Sequence, residues 1–309
     1  MLLDFITLDV FTDTRYAGNP LAVVSVPSVD ALTPEQKQAI AKEFNFSETV
    51  FIYPATNDGM PEVAVSIYTP KQELPFAGHP TVGSTYFLLG IGPLKGRREA
   101  VLKTLSGLTP VSYNPTTSRG SVSVAHDVLI HRPYRELSGK ILGLSDGDLV
   151  ELPGGGVALS SIVKGMTFLM VQVKDLDALG RLRGTTQDIV IDATGERKDE
   201  KDWLVNFVGA YCFVVTGEAE GVTRVRARML FGIGEEDPAT GSAASAFGAW
   251  MSLTNAPAGQ GEQRYEITQG VEMGRRSEIG VSVRKGERGI EEVMLQGQAV
   301  KVMEGQIEI

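Results

Sequence analysis

The sequence predicts an α+β fold of two lobes, and three observations carry that expectation. Strand-like runs far outnumber helical ones and do not alternate regularly with them, which disfavours a doubly wound sheet. The chain has 309 residues, and at roughly 150 residues per domain that length suits two cores. Finally, Glu73-Leu74-Pro75-Phe76-Ala77-Gly78-His79 lines up with Glu236-Asp237-Pro238-Ala239-Thr240-Gly241-Ser242, 163 residues further on, with three identities in seven. Both copies follow a strand-like run and lead into an apolar helical stretch, as a duplicated half would.

The elements follow from local signals. Phe5 to Phe11 reads as a strand, Gly18-Asn19-Pro20 as a turn, and Leu21 to Val26 as a second strand. Thr33 suits a helix N-cap, Pro34 the first helical position and Gln36 the return bond of a capping box, for a helix ending near Phe44. Ser47 to Tyr53 and Glu62 to Tyr68 read as strands. Pro80 to Leu89 reads as a helix apolar nearly all round, which belongs at a domain centre. A loop is expected at Gly90 to Arg98. Strands are expected at Gly120 to Ala125, Val157 to Val163, Thr167 to Val173, Ala210 to Val215 and Val222 to Met229. Asp192 to Asp202 is highly charged and reads as a solvated loop or helix end. Ala243 to Met251 forms a second apolar, small-residue helix, and Gly280 to Ile309 reads as three short strands.

Charge and composition narrow the function. A net charge of −9 argues against a broad nucleic-acid or anionic-membrane surface. Cys212 is the one cysteine, which excludes an internal disulfide and a multi-cysteine zinc site, and fits a reducing compartment. Asp4 and Asp9 interrupt the apolar start, so no signal peptide is expected. No run of about 18 apolar residues predicts a membrane span, and the cytoplasm is the expected location. Gly232-Ile233-Gly234 lacks the rest of a dinucleotide fingerprint, and no phosphate-binding loop or nucleophile elbow occurs. His126 and His131 are too few for a metal centre. Neither cofactor nor metal is expected.

The repeated segments carry the chemistry. In each, a glycine precedes a helix start, with His79 and Ser242 expected as N-caps and Pro80 as the first helical residue. A helix N-terminus offers unpaired N–H groups and about half a positive charge, which suits a carboxylate, and glycine lets a ligand approach. The alternative is two ordinary capped helices. Glu48, in Phe46-Ser47-Glu48-Thr49-Val50-Phe51, has small and apolar neighbours, so desolvation would raise its pKa toward that of a general acid or base. Otherwise it is an exposed strand-end glutamate. His79 can orient a carboxylate, relay a proton or simply cap. Asp237, extended before Pro238, can polarise a substrate or hold another catalytic group, or merely shape a turn. Glu236 reads as solvated, and Arg224, Arg226 and Arg228 as one face of a strand.

The same residues carry a family resemblance. The chain resembles the phenazine-biosynthesis PhzF-like family, within the diaminopimelate epimerase-like fold. The matching stretches are Asp9-Val10-Phe11, Gly18-Asn19-Pro20-Leu21-Ala22-Val23-Val24, Asn45-Phe46-Ser47-Glu48-Thr49, Tyr68-Thr69-Pro70, Glu73 to Thr81, Glu236 to Ala243, Gln269-Gly270 and Met273-Gly274-Arg275. The resemblance implies two pseudo-symmetric lobes, each a mixed β-sheet curled around a central α-helix. It implies residues 1–123 as one lobe, joined by a returning segment at about 296–309, residues 124–295 as the other, an active site in the cleft between them, and a homodimer. It places Glu48 as general acid/base, His79 and Asp237 in supporting positions, and Gly78, Gly241 and Ser242 at a substrate carboxylate.

Cysteine-dependent epimerases of this fold carry a cysteine just before each glycine. Here those positions are Ala77 and Thr240. A two-thiol racemase is therefore disfavoured, and a single carboxylate moving a proton between two carbons needs no cofactor. Ser66 and Arg276 stand where arginine and proline are common, and the stretch from Ile189 to Asp202 looks like added length; these departures bear on the substrate. The expected function is a cofactor-independent isomerase acting on a small carboxylate. The alternatives are a carboxylate-based epimerase or racemase, and a non-catalytic carboxylate-binding protein.

Overall fold

Leu21-Ala22-Val23-Val24 has no polar alternation, so as a strand it must be covered on both faces. In a computed structural model, which describes residues 1–56, 59–184, 189, 203, 207–254 and 261–309, all four are buried. The chain divides into two compact units, Met1–Val124 with Leu295–Ile309, and Ala125–Met294.

In the first unit, β1 (Leu2–Val10) pairs antiparallel with β2 (Asn19–Ser25), and β2 lies parallel to β3 (Glu48–Ile52). Next, β3 pairs antiparallel with β4 (Glu62–Tyr68), which turns back as the short β5 (Glu73–Leu74). The parallel neighbour of β4 is β6 (Glu99–Thr104), followed by antiparallel β7 (Gly107–Asn114) and β8 (Arg119–Ser123). The last strand of the chain, Ala299–Glu308, covers the other side of β1, with Leu2 opposite Glu308.

Helices cover both faces of this sheet. Helix α1 (Pro34–Phe44) starts with the expected capping box: Thr33 accepts from Gln36, whose side chain bonds back to Thr33. Thr33→Ala is expected to cost about 1 kcal/mol in chemical denaturation. Ile40 and Ala41 of α1 pack on Val24, Phe51, Tyr53 and Tyr68. Helix α2 (Gly78–Thr85) is wholly buried against β1, β2, β3 and β8. It can lie that close because Gly83 has no side chain; a Cβ there would sit 2.4 Å from Leu21.

The start of α2 corrects the sequence reading. Its N-cap is Ala77, in extended conformation, and Gly78 is the first helical residue. The Ala77 carbonyl accepts the first helical bond from the Thr81 N–H. His79 is therefore inside the helix rather than its cap, and Pro80 is third. Proline is tolerated there because the first four N–H groups of any helix lack internal partners. The predicted continuation to Leu89 holds in a different form, since Tyr86–Ile91 winds as a π-helical turn, a feature common near functional sites.

In the second unit the strands are β9 (Leu129–Ile130), β10 (Ala158–Val163), β11 (Met166–Gln172), β12 (Phe207–Ala219), β13 (Val222–Phe231), β14 (Glu235–Asp237), β15 (Gly261–Gln269), β16 (Ser277–Gly286) and β17 (Gly289–Gly297). The last strand of the chain, in the first unit, is thus β18. The pairing repeats that of the first unit. β10 is antiparallel to β11, β11 parallel to β12, and β12 antiparallel to β13; β13 turns back as β14 and lies parallel to β15, which pairs antiparallel with β16. Helix α3 (Leu176–Arg181) sits between β11 and β12 in the chain, as α1 does between β2 and β3. Helix α4 (Gly241–Thr254) follows β14 as α2 follows β5 and packs on β10, β11, β15 and β16. Its Phe247 lies 4.8 Å from the Phe213 ring and 5.8 Å from that of Tyr265. A seven-residue similarity thus marks a duplicated topology of mixed sheet around a central helix. The charged segment 192–202 lies outside the described residues.

Candidate active site

Helix α1 ends on Asn45, which adopts a left-handed conformation that redirects the chain. Three residues later Glu48 opens β3, and strand alternation puts it on the face of Val50 and Ile52, toward α2. There Glu48 Oε2 lies 3.4 Å from His79 Nε2, with side chains 15 % and 6 % exposed respectively. That is ion-pair range, yet Oε2 meets no hydrogen-bond geometry among the described residues. Burial holds the Glu48 carboxyl above the ordinary glutamate value, and the Ser47 hydroxyl pulls it partly back. His79 Nδ1 faces Asn19 Nδ2 at 3.4 Å, and Ser47 Oγ donates to Asn19 Oδ1, also at 3.4 Å.

Asn19 is the residue that reading the sequence for chemistry missed. Gly18-Asn19-Pro20 carries the signal of a turn, and Asn19 is in fact 1 % exposed, beneath His79. Gly18 is required there. Its φ is +66°, and a Cβ would lie 2.4 Å from the Val10 carbonyl oxygen.

The second unit holds the other candidates in one turn. Asp237 Oδ2 accepts from the Thr240 hydroxyl at 2.5 Å. The fully buried Gln269 donates to the Asp237 carbonyl (2.8 Å) and accepts from the Thr240 N–H (3.3 Å). Gly270 follows with φ +73°, where a Cβ would lie 2.6 Å from the Pro238 carbonyl oxygen. The Thr240 carbonyl accepts the first bond of α4, from Ala244. As in α2, the glycine, Gly241, is the first helical residue. Ser242 therefore follows it inside the helix and is not the N-cap that the sequence predicts. It remains partly exposed in the first turn, while Gly241 is buried. Gln269 is legible in the sequence only as part of a motif; nothing in its local pattern announces a clamp on the Asp237 turn.

One further expectation changes and another holds. Glu236 is not a solvated residue: it accepts from Nε and Nη2 of the buried Arg228, at 2.8 and 2.7 Å. Arg224, Arg226 and Arg228 do share a strand face, each with an acidic partner, Glu266, Glu272 and Glu236. Ser66 pairs with Phe51 and lies by Tyr53, so it sits on the α1 side of the sheet, opposite Glu48. Arg276 is exposed and bonded to Glu278.

Cys212 is fully buried, and desolvation pushes its thiol up to about 12. The native protein is therefore expected to resist a thiol reagent such as dithionitrobenzoate and to react once denatured; fast native labelling would contradict this environment.

Comparison with known proteins agrees with this architecture. The phenazine biosynthesis-like protein model (PhzC-PhzF) matches residues 8–305. An isomerase of Mesorhizobium japonicum, with no reaction in its name, is 34% identical over 98% of each chain. The trans-2,3-dihydro-3-hydroxyanthranilate isomerase of Pseudomonas fluorescens is 28% identical over 98% of this chain and 99% of its own. Among solved structures, a Bacillus anthracis phenazine biosynthesis protein of the PhzF family superposes with a TM-score of 0.81 at 23% identity, covering 100% of both chains. With a family model spanning nearly its whole length, the chain belongs to the phenazine biosynthesis-like family, PhzC-PhzF.

Proposed function

We propose that the protein is a cofactor-independent isomerase in which Glu48 moves a proton between two carbons of a small, carboxylate-bearing, unsaturated or cyclic metabolite. The observation that carries this reading is the buried Glu48–His79 pair. Desolvation makes the carboxylate a stronger base than a surface glutamate, and His79 holds it in position. Ionised Glu48 takes a proton from carbon, so a C–H bond breaks and an O–H bond forms. The freed electron pair shifts the double bond, and the protonated Glu48 returns its proton to the far end of the allylic system. His79 supports the ionised form. Asp237, fixed by Thr240 and Gln269, polarises the substrate. Gly78, Gly241 and Ser242, in the first turns of α2 and α4, bind its carboxylate.

Relatives named for the isomerisation of trans-2,3-dihydro-3-hydroxyanthranilate favour a substrate of that chemical class. Ala77 and Thr240 in place of thiols, and the buried Cys212, favour one carboxylate over two cysteines. The enzyme is proposed to work as a cytoplasmic homodimer. No helix among the described residues is long and apolar enough to cross a membrane.

The test is proton exchange in heavy water. A panel of unsaturated and cyclic carboxylates, including trans-2,3-dihydro-3-hydroxyanthranilate, is followed by NMR with wild-type protein and Glu48→Gln. A moved double bond with deuterium uptake, lost in the variant, is the expected result. Scrambling at one stereocentre would favour an epimerase. Thermal stabilisation without exchange would favour a binding protein.

A further inference from the structure

We propose that Asn19 sets the tautomer of His79, making it a neutral ring that donates its Nε2–H to the Glu48 carboxylate; this rests on the reading of Glu48 as the acid/base residue. Ser47 Oγ, Asn19, His79 and Glu48 Oε2 form a chain of contacts, each 3.4 Å long. The first two are hydrogen bonds at the loose end of the range. The third is within ion-pair distance but outside hydrogen-bond geometry at both Nε2 and Oε2, and catalytic contacts are often misaligned in this way until substrate binds.

Direction along the chain comes from the amide. Its oxygen can only accept and its nitrogen can only donate. Oδ1 lies toward Ser47 Oγ and Nδ2 toward the ring, each at 3.4 Å. A serine hydroxyl can donate or accept, so the placement of the amide atoms, and not Ser47, gives the direction. An N–H pointing at Nδ1 needs a lone pair there. A neutral imidazole carries one proton, which must then sit on Nε2, the nitrogen facing Glu48. Protonating the ring fully would set two N–H groups against each other at Nδ1, so the imidazolium is disfavoured.

The arrangement suits a base. A cationic histidine at 3.4 Å would pull the carboxyl pKa down and weaken it. A neutral donor orients the carboxylate without that loss. The backbone fixes Asn19 in place, since it opens β2 opposite Val10, between Gly18 at φ +66° and Pro20, which favours extended geometry before it.

Nitrogen-15 NMR of the ligand-free protein at alkaline pH, where Glu48 is ionised, tests the assignment. The chain has three histidines, and His79→Gln identifies the relevant signals. In wild-type protein His79 is expected to show an unprotonated Nδ1 and a protonated Nε2. Asn19→Asp presents an acceptor-only carboxylate, so a proton is expected to move onto Nδ1. If that variant does not fold, Ser47→Ala, at an exposed position, removes the bond to Oδ1 and is expected to mix the tautomers. A wild-type ring protonated at Nδ1, or a pattern unchanged by these substitutions, overturns the proposal. The two readings fail separately. Exchange that survives Glu48→Gln while Nε2–H persists removes the base assignment alone. A wrong tautomer, with exchange lost in Glu48→Gln, removes the role of Asn19 alone.

Discussion

Glu48→Gln is expected to lower the rate of proton transfer by about 10²–10⁴-fold, the usual contribution of a positioned acid/base group. Glutamine keeps the shape and can still accept from His79, but it cannot take a proton from carbon. Solvent-deuterium incorporation measures the loss, and a rate within a few-fold of wild type would remove Glu48 from the mechanism.

The same substitution is expected to act in the opposite sense on stability. Burial raises the folded-state pKa of Glu48 above its unfolded value, so the folded protein holds that proton more tightly. The stabilisation this group contributes is full below the ordinary glutamate value and is lost as pH rises through the raised one. Glu48→Gln has no such proton to lose. Urea midpoints should match wild type in acid and exceed it near neutrality. Turnover of the wild type, which needs ionised Glu48, should rise through that same window, above the range of an ordinary carboxylate. In the proposed mechanism, function and stability pull on this carboxyl group in opposite directions.

Arg228→Met is expected to destabilise the protein by about 3–5 kcal/mol, the cost of breaking a buried ion pair by removing one partner. The Arg228 guanidinium is 7 % exposed and forks onto Glu236, which is 15 % exposed. Its remaining arm donates to the Leu179 and Leu182 carbonyls at 3.0 Å, where α3 ends. One side chain therefore ties β13 to β14 and to the end of α3. Its loss strands the Glu236 carboxylate, whereas the Leu179 and Leu182 carbonyls keep bonds from the Leu182 N–H and the Arg183 side chain. The double replacement Arg228→Met with Glu236→Leu leaves no stranded carboxylate and should recover much of the loss. Chemical denaturation of the single and double variants decides this. A double variant no more stable than Arg228→Met would show that the stranded carboxylate is not the source of the cost. Because Glu236 adjoins Asp237, the single variant is also expected to lower turnover by loosening that turn.

Much of the fold is legible in the sequence because it rests on short-range rules. The α1 cap needs only Thr33, Pro34 and Gln36 in order. Helices α2 and α4 hold only small, apolar or hydroxyl residues apart from His79 and the aromatics, with no Asp, Glu, Lys or Arg. The Thr81, Ser84, Thr85 and Ser245 hydroxyls bond back to carbonyls four residues earlier, so burial suits them. Strands covered on both faces, β2 and β11, show as unbroken apolar runs. The strands that escape notice in the sequence, β6, β7 and β15, mix exposed charges with partial burial. Their identity comes from the neighbours they pair with rather than from their own pattern. The helix starts are misread for a similar reason. Pro80 and Ser242 are strong N-terminal signals, yet the preceding glycines already take helical geometry, and the caps fall on Ala77 and Thr240.

For the site, the sequence by itself determined the residue types: a carboxylate among small neighbours, a histidine and an aspartate beside repeated glycines, and no thiol where a thiol-based racemase would need one. Only the tertiary structure decided which groups meet. Glu48 and His79 are 31 residues apart in the chain, and Asn19 is 60 from His79. Their contact depends on β2 lying parallel to β3 and on α2 crossing that sheet at Gly83. Glu236 shows the limit most plainly. Its local sequence is that of a solvated turn, and what buries it is Arg228, a partner set by the register of β13 against β14. Spacing along the chain specifies faces and turns, whereas pKa, tautomer and ion pairing depend on distances across strands, which only the folded chain sets.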